Sequence, residues 1–332
     1  MYDLEAELVI KEIKRRGARR VLLQLPDGLR PYAFDLAEAL RKATDAEIIL
    51  SGDSCYGACD IALRQVSELN ADLLVHYGHS SMVSAETPII YIEARIPIDV
   101  ASLVQASLPY MVGWKRIGLA TTVQHVHQLS EVAEFLRNEG REAYVGKGSG
   151  KTPLDGQVLG CHYAAAITLP FDVDGFLFIG GGKFHPLGLS MSTGKPVVIA
   201  NPYNGMVNLL DDSEVMLLAK RRAAALAYAK SAKIVGVLVS SKPGQIALDL
   251  AQGVIGHLRE KGFTAFPIYQ DEIKAITLNN FSEADIFIDT ACPRIALDGV
   301  AGVDRPILTV PEISVLLGEE KWEDLWPKGY LR

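Results

Sequence analysis

The sequence predicts an α/β protein of three repeated small domains, each a parallel sheet with helices on both faces, arranged about a common centre. Two observations carry this. Apolar runs of strand length alternate with amphipathic helical segments, the pattern of parallel sheets covered on both sides. The same order of basic residue, apolar strand, polar turn and helix also begins three times, at Arg20, Arg116 and Lys233. These starts lie about 96 and 117 residues apart, the size of a small α/β domain. The expected domains are residues 1–100, 101–212 and 213–332.

The first unit opens with a strand at 20–25 and turns at Pro26-Asp27-Gly28. A helix follows with Phe34, Leu36, Ala37 and Leu40 at helical spacing, then a strand at 48–50. In the second, a strand at 117–122 leads to a helix over about 126–138 with Leu129, Val132, Ala133 and Leu136 on one face; Gly140 closes it, and a strand follows at 143–145. The third has a strand at 234–239, a turn at Pro243-Gly244, and a helix with Ile246, Leu250, Val254 and Leu258 as its apolar side. Gly262 stops that helix and a strand restarts at 263–266. Further strands at 73–75, 175–179 and 285–288 complete the units, and a helix over 214–230 joins the second to the third.

Composition narrows the function. With 332 residues, 49% hydrophobic and 22% charged, the chain can bury a large core. No apolar run approaches the length of a membrane-spanning helix, and the acidic start, Met1 to Glu7, lacks the pattern of a secretory signal. The expected location is cytoplasmic. A net charge of -7 without a basic stripe argues against nucleic acid and for a protein or small-molecule partner. In a reducing compartment the four cysteines, Cys55, Cys59, Cys161 and Cys292, are expected to be thiols.

The segment Gly146 to Thr152 ends in the Gly-Lys-Thr of a phosphate-binding loop but fails on spacing. Val145 stands where the first glycine is required, and Pro153 interrupts the helix that should follow. A mobile glycine-rich loop is the expectation. Cys59, Cys161 and Cys292 say more, because each unit carries one of them in a loop beyond a strand, where parallel α/β units gather ligands. Three thiolates leave one position of a four-iron cluster open for chemistry. Zinc stays open as an alternative, although the local Cys-x-x-Cys pairs usual in structural zinc sites are missing. Cys55 is read as buried filler.

Four of the seven histidines fall in two small groups, His76 with His79 and His125 with His127. The latter pair, two apart, cannot share a helix face and is read as solvated or capping. Polar loops include Gly180 to Lys183, Asn201 to Asn204, Ser240 to Gln245 and Arg294. From these, Gly181, Lys183, Asn201, Gln245 and Arg294 are candidates for holding a small molecule with amino, carboxylate and adenosine parts, Lys183 and Arg294 at its carboxylate.

Four segments together resemble the 2-(3-amino-3-carboxypropyl)histidine synthase family, the first step of diphthamide biosynthesis in archaea. They are GDSCYGACD at 52–60, VHYGHS at 75–80, NPY at 201–203 and ACPR at 291–294. The resemblance spans nearly the whole chain. It implies a cytoplasmic homodimer of three-domain subunits, with Cys59, Cys161 and Cys292 as the metal ligands of a 4Fe-4S cluster. The match at Cys161 is the shortest. It further implies a noncanonical radical S-adenosylmethionine reaction, lacking the Cys-x-x-x-Cys-x-x-Cys run. The bond between sulfur and the γ-carbon breaks, methylthioadenosine leaves, and the 3-amino-3-carboxypropyl group joins imidazole C2 of a histidine in translation elongation factor 2. The electron donor is not implied. The alternatives are a noncatalytic cluster-bearing accessory subunit of the same pathway and an unrelated nucleotide-binding α/β enzyme.

Overall fold

A computed structural model describes residues 2–325; Met1 and residues 326–332, the end of the third expected domain, lie outside the described residues. Three sheets follow one another along the chain. The first contains β1 (Arg20–Gln24), β2 (Glu47–Leu50), β3 (Leu73–Tyr77) and β4 (Ile89–Ile92) in the order β2-β1-β3-β4, all parallel. The second contains β5 (Arg116–Thr121), β6 (Glu142–Val145), β7 (Gly175–Ile179), β8 (Val197–Ala200) and β9 (Val207–Leu209), ordered β6-β5-β7-β8-β9. Here β9 runs antiparallel to β8 and is the one exception to parallel pairing among the described strands. The third holds β10 (Ile234–Ser240), β11 (Thr264–Gln270), β12 (Ile286–Asp289) and β13 (Ile307–Thr309), ordered β11-β10-β12-β13 and again parallel.

Central strands such as β3 and β7 are buried along their whole length, which is why β7 reads as an unbroken apolar run and β3 as one up to His76. The fourth strands, β4, β8 and β13, are only three or four residues long and were not expected. Two helices keep part of their expected faces. In the helix Ala33–Ala43, Leu36 and Leu40 are buried as expected together with Ala33, but Phe34 is 80% exposed. The helix Leu248–Glu260 starts after Ile246 and buries Ala251, Val254, Ile255 and Leu258, leaving Ile246 and Leu250 exposed. In the second unit a 3-10 turn, Val123–Gln128, precedes the helix Leu129–Asn138, whose apolar face is as expected. No helix of the described residues is long and apolar enough to cross a membrane.

A carboxylate clasp repeats in all three units. Asp72 accepts hydrogen bonds from the main-chain N–H groups of Arg19 and Arg20, at 2.8 Å each. Asp174 does the same for Lys115 and Arg116 at 2.6 and 2.7 Å, and Asp285 for Lys233 and Ile234 at 2.8 Å each. These amide donors hold all three carboxyls below their ordinary range. Each aspartate directly precedes the strand that pairs with the first strand of its unit. The registers match Val21 with Leu73, Ile117 with Gly175 and Val235 with Ile286. Counting onward from these pairs, His79, Gly181 and Cys292 occupy equivalent places at the carboxyl ends of β3, β7 and β12.

The joining helix runs Asp212–Ala229 and is fastened to the third sheet by Arg222. Its guanidinium donates to Glu312 at 2.9 and 2.5 Å and to the carbonyls of Ala296 and Ile307 at 2.6 and 2.7 Å. Both side chains of the pair are buried. Removing one partner strands a charge out of water, so Arg222→Ala should lower unfolding stability by about 3–5 kcal/mol. Denaturant titration of the metal-free protein measures this.

Candidate metal centre

The loops beyond the carboxyl ends of the strands meet around a cavity of about 570 Å³, and Cys59, Cys161 and Cys292 all line it. Cys59 follows β2, Cys161 follows β6, and Cys292 follows β12. Three residues that are distant in sequence therefore reach one site from three sheets.

The Cys59 loop is held by the third unit. Gly244 N–H donates to the Cys59 carbonyl at 2.8 Å, and Gln245 Nε2 donates to Cys59 Sγ at 3.3 Å. A Cβ on residue 244 would lie 2.4 Å from Cys59 Cα, so only glycine allows this approach. Next to it Lys242 Nζ donates to Asp60 Oδ1 at 2.7 Å, with both side chains nearly buried. At Cys161, Gly160 packs so tightly on Phe184 that an added Cβ would fall 2.1 Å from the ring. The other partner of that ring is Arg294, whose guanidinium lies 3.8 Å from its centroid. Asp289 orients Cys292 by accepting from the main-chain N–H groups of Ala291 and Cys292 at 2.9 and 3.4 Å.

Burial governs the electrostatics. It pushes the Cys292 thiol up to about 12 and raises Cys59 and Cys161 as well. Lys151 pulls Cys59 and Cys161 back toward the thiolate, and Arg294 does so for Cys161. Cys59 also raises Cys161, and Cys161 and Cys59 both raise Cys292, so ionising all three without a cation is unfavourable. A metal group supplies that cation.

The three do not crowd as ligands of one ion would. Among the described residues, the set of His, Cys, Asp and Glu whose ligand atoms all fall within 4.8 Å of one another is Cys55, His76 and His79. Within the Cys55 set the two histidines form a hydrogen-bonded array with Gln24. His76 Nδ1 meets Gln24 Oε1 at 2.9 Å, His76 Nε2 meets His79 Nδ1 at 2.9 Å, and burial raises the Cys55 thiol to about 12.

Of the residues expected at a small molecule, Gln245 and Arg294 line the cavity, whereas Gly181, Lys183 and Asn201 do not. Lys183 is paired with Glu214 at 2.6 Å, outside the cavity wall. Gly181 packs under Tyr203 near Asn201. Arg294 donates to Asp298 at 2.5 and 3.2 Å, while its Nη1 is buried without a partner among the described residues. His125 is not solvated: it is buried, and its Nε2 lies 3.2 Å from the Tyr203 hydroxyl. The glycine-rich loop is tied down by Asp155, which takes Lys147 at 2.7 Å and the Gly148 N–H at 2.9 Å. Sequence reasoning missed Lys151 and Phe184. Lys151 stood in the segment dismissed for its spacing, and nothing local marks Phe184 as a bridge between units.

Fold and site define a three-unit α/β protein that encloses a thiol-lined cavity. Residues 25–327 match the family model described as putative diphthamide synthesis protein. The chain belongs to that family. It is 36% identical over 329 residues to 2-(3-amino-3-carboxypropyl)histidine synthase of Pyrococcus horikoshii, covering 97% of this chain and 93% of the relative. Subunit 1 of the human synthase is 28% identical over 335 residues, covering 99% of this chain and 75% of the relative. Among solved structures, Dph2 from Pyrococcus horikoshii superposes with a TM-score of 0.88 at 37% identity, covering 97% of this chain and 93% of that one, and a second structure of it carries a 4Fe-4S cluster.

Because burial holds Cys55 and Cys292 as protonated thiols up to about 12, both should resist iodoacetamide at neutral pH in the folded, metal-free protein. Their labelling rates, read by peptide mass spectrometry, should rise about tenfold per pH unit from 7 to 9. A rate independent of pH over that range would show that they are already ionised.

Proposed function

We propose that this chain is a 4Fe-4S enzyme that transfers the 3-amino-3-carboxypropyl group of S-adenosylmethionine to a histidine of translation elongation factor 2, the first step of diphthamide biosynthesis. The observation that carries the reading is the arrival of Cys59, Cys161 and Cys292 at one cavity from three different sheets. The cluster-bearing structure of a 37% identical relative supports the same assignment.

The thiolates of Cys59, Cys161 and Cys292 would hold the cluster. When bound, it supplies the electron that breaks the bond between sulfur and the γ-carbon. The remaining steps fall to the protein. The unpartnered Nη1 of Arg294 offers a charge-assisted hydrogen bond to the cosubstrate carboxylate. Asp271 on the cavity wall would attract its ammonium and sulfonium charges, Glu272 beside it being paired with Lys274. Gln245, which lines the cavity, would donate to the Cys59 thiolate and hold it in place. A cavity of about 570 Å³ is in the range that encloses a ligand of this size.

Anaerobically reconstituted, dithionite-reduced protein should form methylthioadenosine and, with archaeal elongation factor 2, add the 3-amino-3-carboxypropyl group to one histidine. Product mass spectrometry reads both; 5'-deoxyadenosine as the main product would reject the reading. Methylthioadenosine without modified elongation factor would remove only the assigned protein substrate. Alanine at Cys59, Cys161 or Cys292 should abolish or bleach the visible absorbance of the cluster, whereas Cys55→Ala should spare it.

A further inference from the structure

The structure assigns a role to His79: we infer that it takes the proton lost from C2 of the substrate imidazole. This rests on the transferase reading above. The name of the relatives' product places the new group on C2 of histidine, a carbon that bears one hydrogen. Joining a carbon radical to C2 therefore leaves one proton and one electron to remove before the ring is aromatic again. The carbon–sulfur bond of the cosubstrate breaks with one electron, the new carbon–carbon bond forms at C2, and the C2 proton passes to His79. The electron left behind returns to the oxidised iron-sulfur centre.

A chain of hydrogen bonds sets which nitrogen of His79 is bare. Gln24 Nε2 donates to the Asp60 carbonyl at 2.6 Å, so Gln24 Oε1 is an acceptor, and it takes the Ala62 N–H at 3.1 Å. His76 Nδ1, 2.9 Å from the same oxygen, must then carry its hydrogen. A neutral His76 has a bare Nε2, which accepts from His79 Nδ1–H at 2.9 Å. That leaves His79 Nε2 without a hydrogen, on a ring that lines the cavity. Burial keeps both imidazoles neutral, His76 well below its ordinary value and His79 at about 4, so the acceptor is available at physiological pH.

The repeat supports the placement independently. His79 occupies in the first unit the position that Cys292 occupies in the third, at the carboxyl end of the equivalent strand. Gly78 makes the turn possible, with φ at 82° and its Cα side packed against Pro26. His185 is the other imidazole on the wall named here, but it stacks on Phe178 and Arg294 opposes its protonation. Burial lowers both rings to about 4; at His185 the Arg294 charge adds to that, whereas at His79 the Tyr77 carbonyl offsets part of it.

Two measurements test this. In metal-free protein labelled with 15N-histidine, two-bond correlations should show hydrogen on Nδ1 of both His76 and His79; hydrogen on Nε2 of His79 overturns the assignment. In cluster-loaded protein, His79→Asn should keep the visible spectrum while the ratio of modified histidine to methylthioadenosine falls about 100-fold or more, the range of a lost general base. An unchanged ratio also overturns it. Should His79→Asn fold poorly, Gln24→Leu leaves His79 in place, and it should disturb the His76 tautomer and lower the same ratio. Wild-type protein that makes no methylthioadenosine sinks the functional reading and the base assignment with it, a failure separate from the tautomers read in metal-free protein.

Discussion

The contact between Gly244 and Cys59 sets how closely the first and third units approach, and the cavity depends on that distance. The main chain of one unit lies against the Cα of a cysteine in another, with a hydrogen bond from Gly244 N–H to the Cys59 carbonyl at 2.8 Å. The buried ion pair between Lys242 and Asp60 locks the same two loops laterally. Breaking it would leave an uncompensated charge in a site largely closed to water, a cost that keeps the loops in register. Phe184 plays the matching part on the other side, packed between Gly160 of the Cys161 loop and the guanidinium of Arg294. The Cys59 and Cys161 loops are thus positioned by residues outside their own strands, whereas Cys292 is oriented by Asp289 at the end of its own strand.

Closeness of this kind has an electrostatic consequence. Three thiols in a shared, poorly hydrated space resist ionisation, and each ionised sulfur would resist the next. Lys151 and Arg294 offset part of this repulsion, and a bound metal group would offset the rest. The buried neutral histidines nearby have the opposite character, since desolvation there removes charge and leaves an ordered array of donors and acceptors. On the proposed reading, one cavity would hold an electron-transfer group on one wall and a proton acceptor on another.

Much of this was readable in the sequence because each unit carries its own local signals. Runs such as Val21-Leu22-Leu23 and Phe176-Leu177-Phe178 mark central strands, and the three cysteines could be assigned one to a unit. Other features depend on contacts between units and leave no local trace. Phe34 fits an apolar helical stripe yet faces solvent, and Lys183 lies in a glycine-rich loop suited to a ligand yet pairs with Glu214. The clasp formed by Asp72, Asp174 and Asp285 was present in the sequence but is spaced too widely to notice without the strand registers. Cys55 reads as buried filler, and it is buried; only the fold shows that it sits beside His76 and His79.

The central claim is that one cluster is shared by three loops, and its position in the protein tests that most directly. Crystals of the reconstituted protein grown without oxygen, with data collected at the iron absorption edge, would locate the metal by its anomalous signal. The account predicts a single compact iron site touching Cys59, Cys161 and Cys292 and facing Arg294 across the cavity. Iron bound at Cys55, His76 and His79, or at only one of the three cysteines, would contradict it.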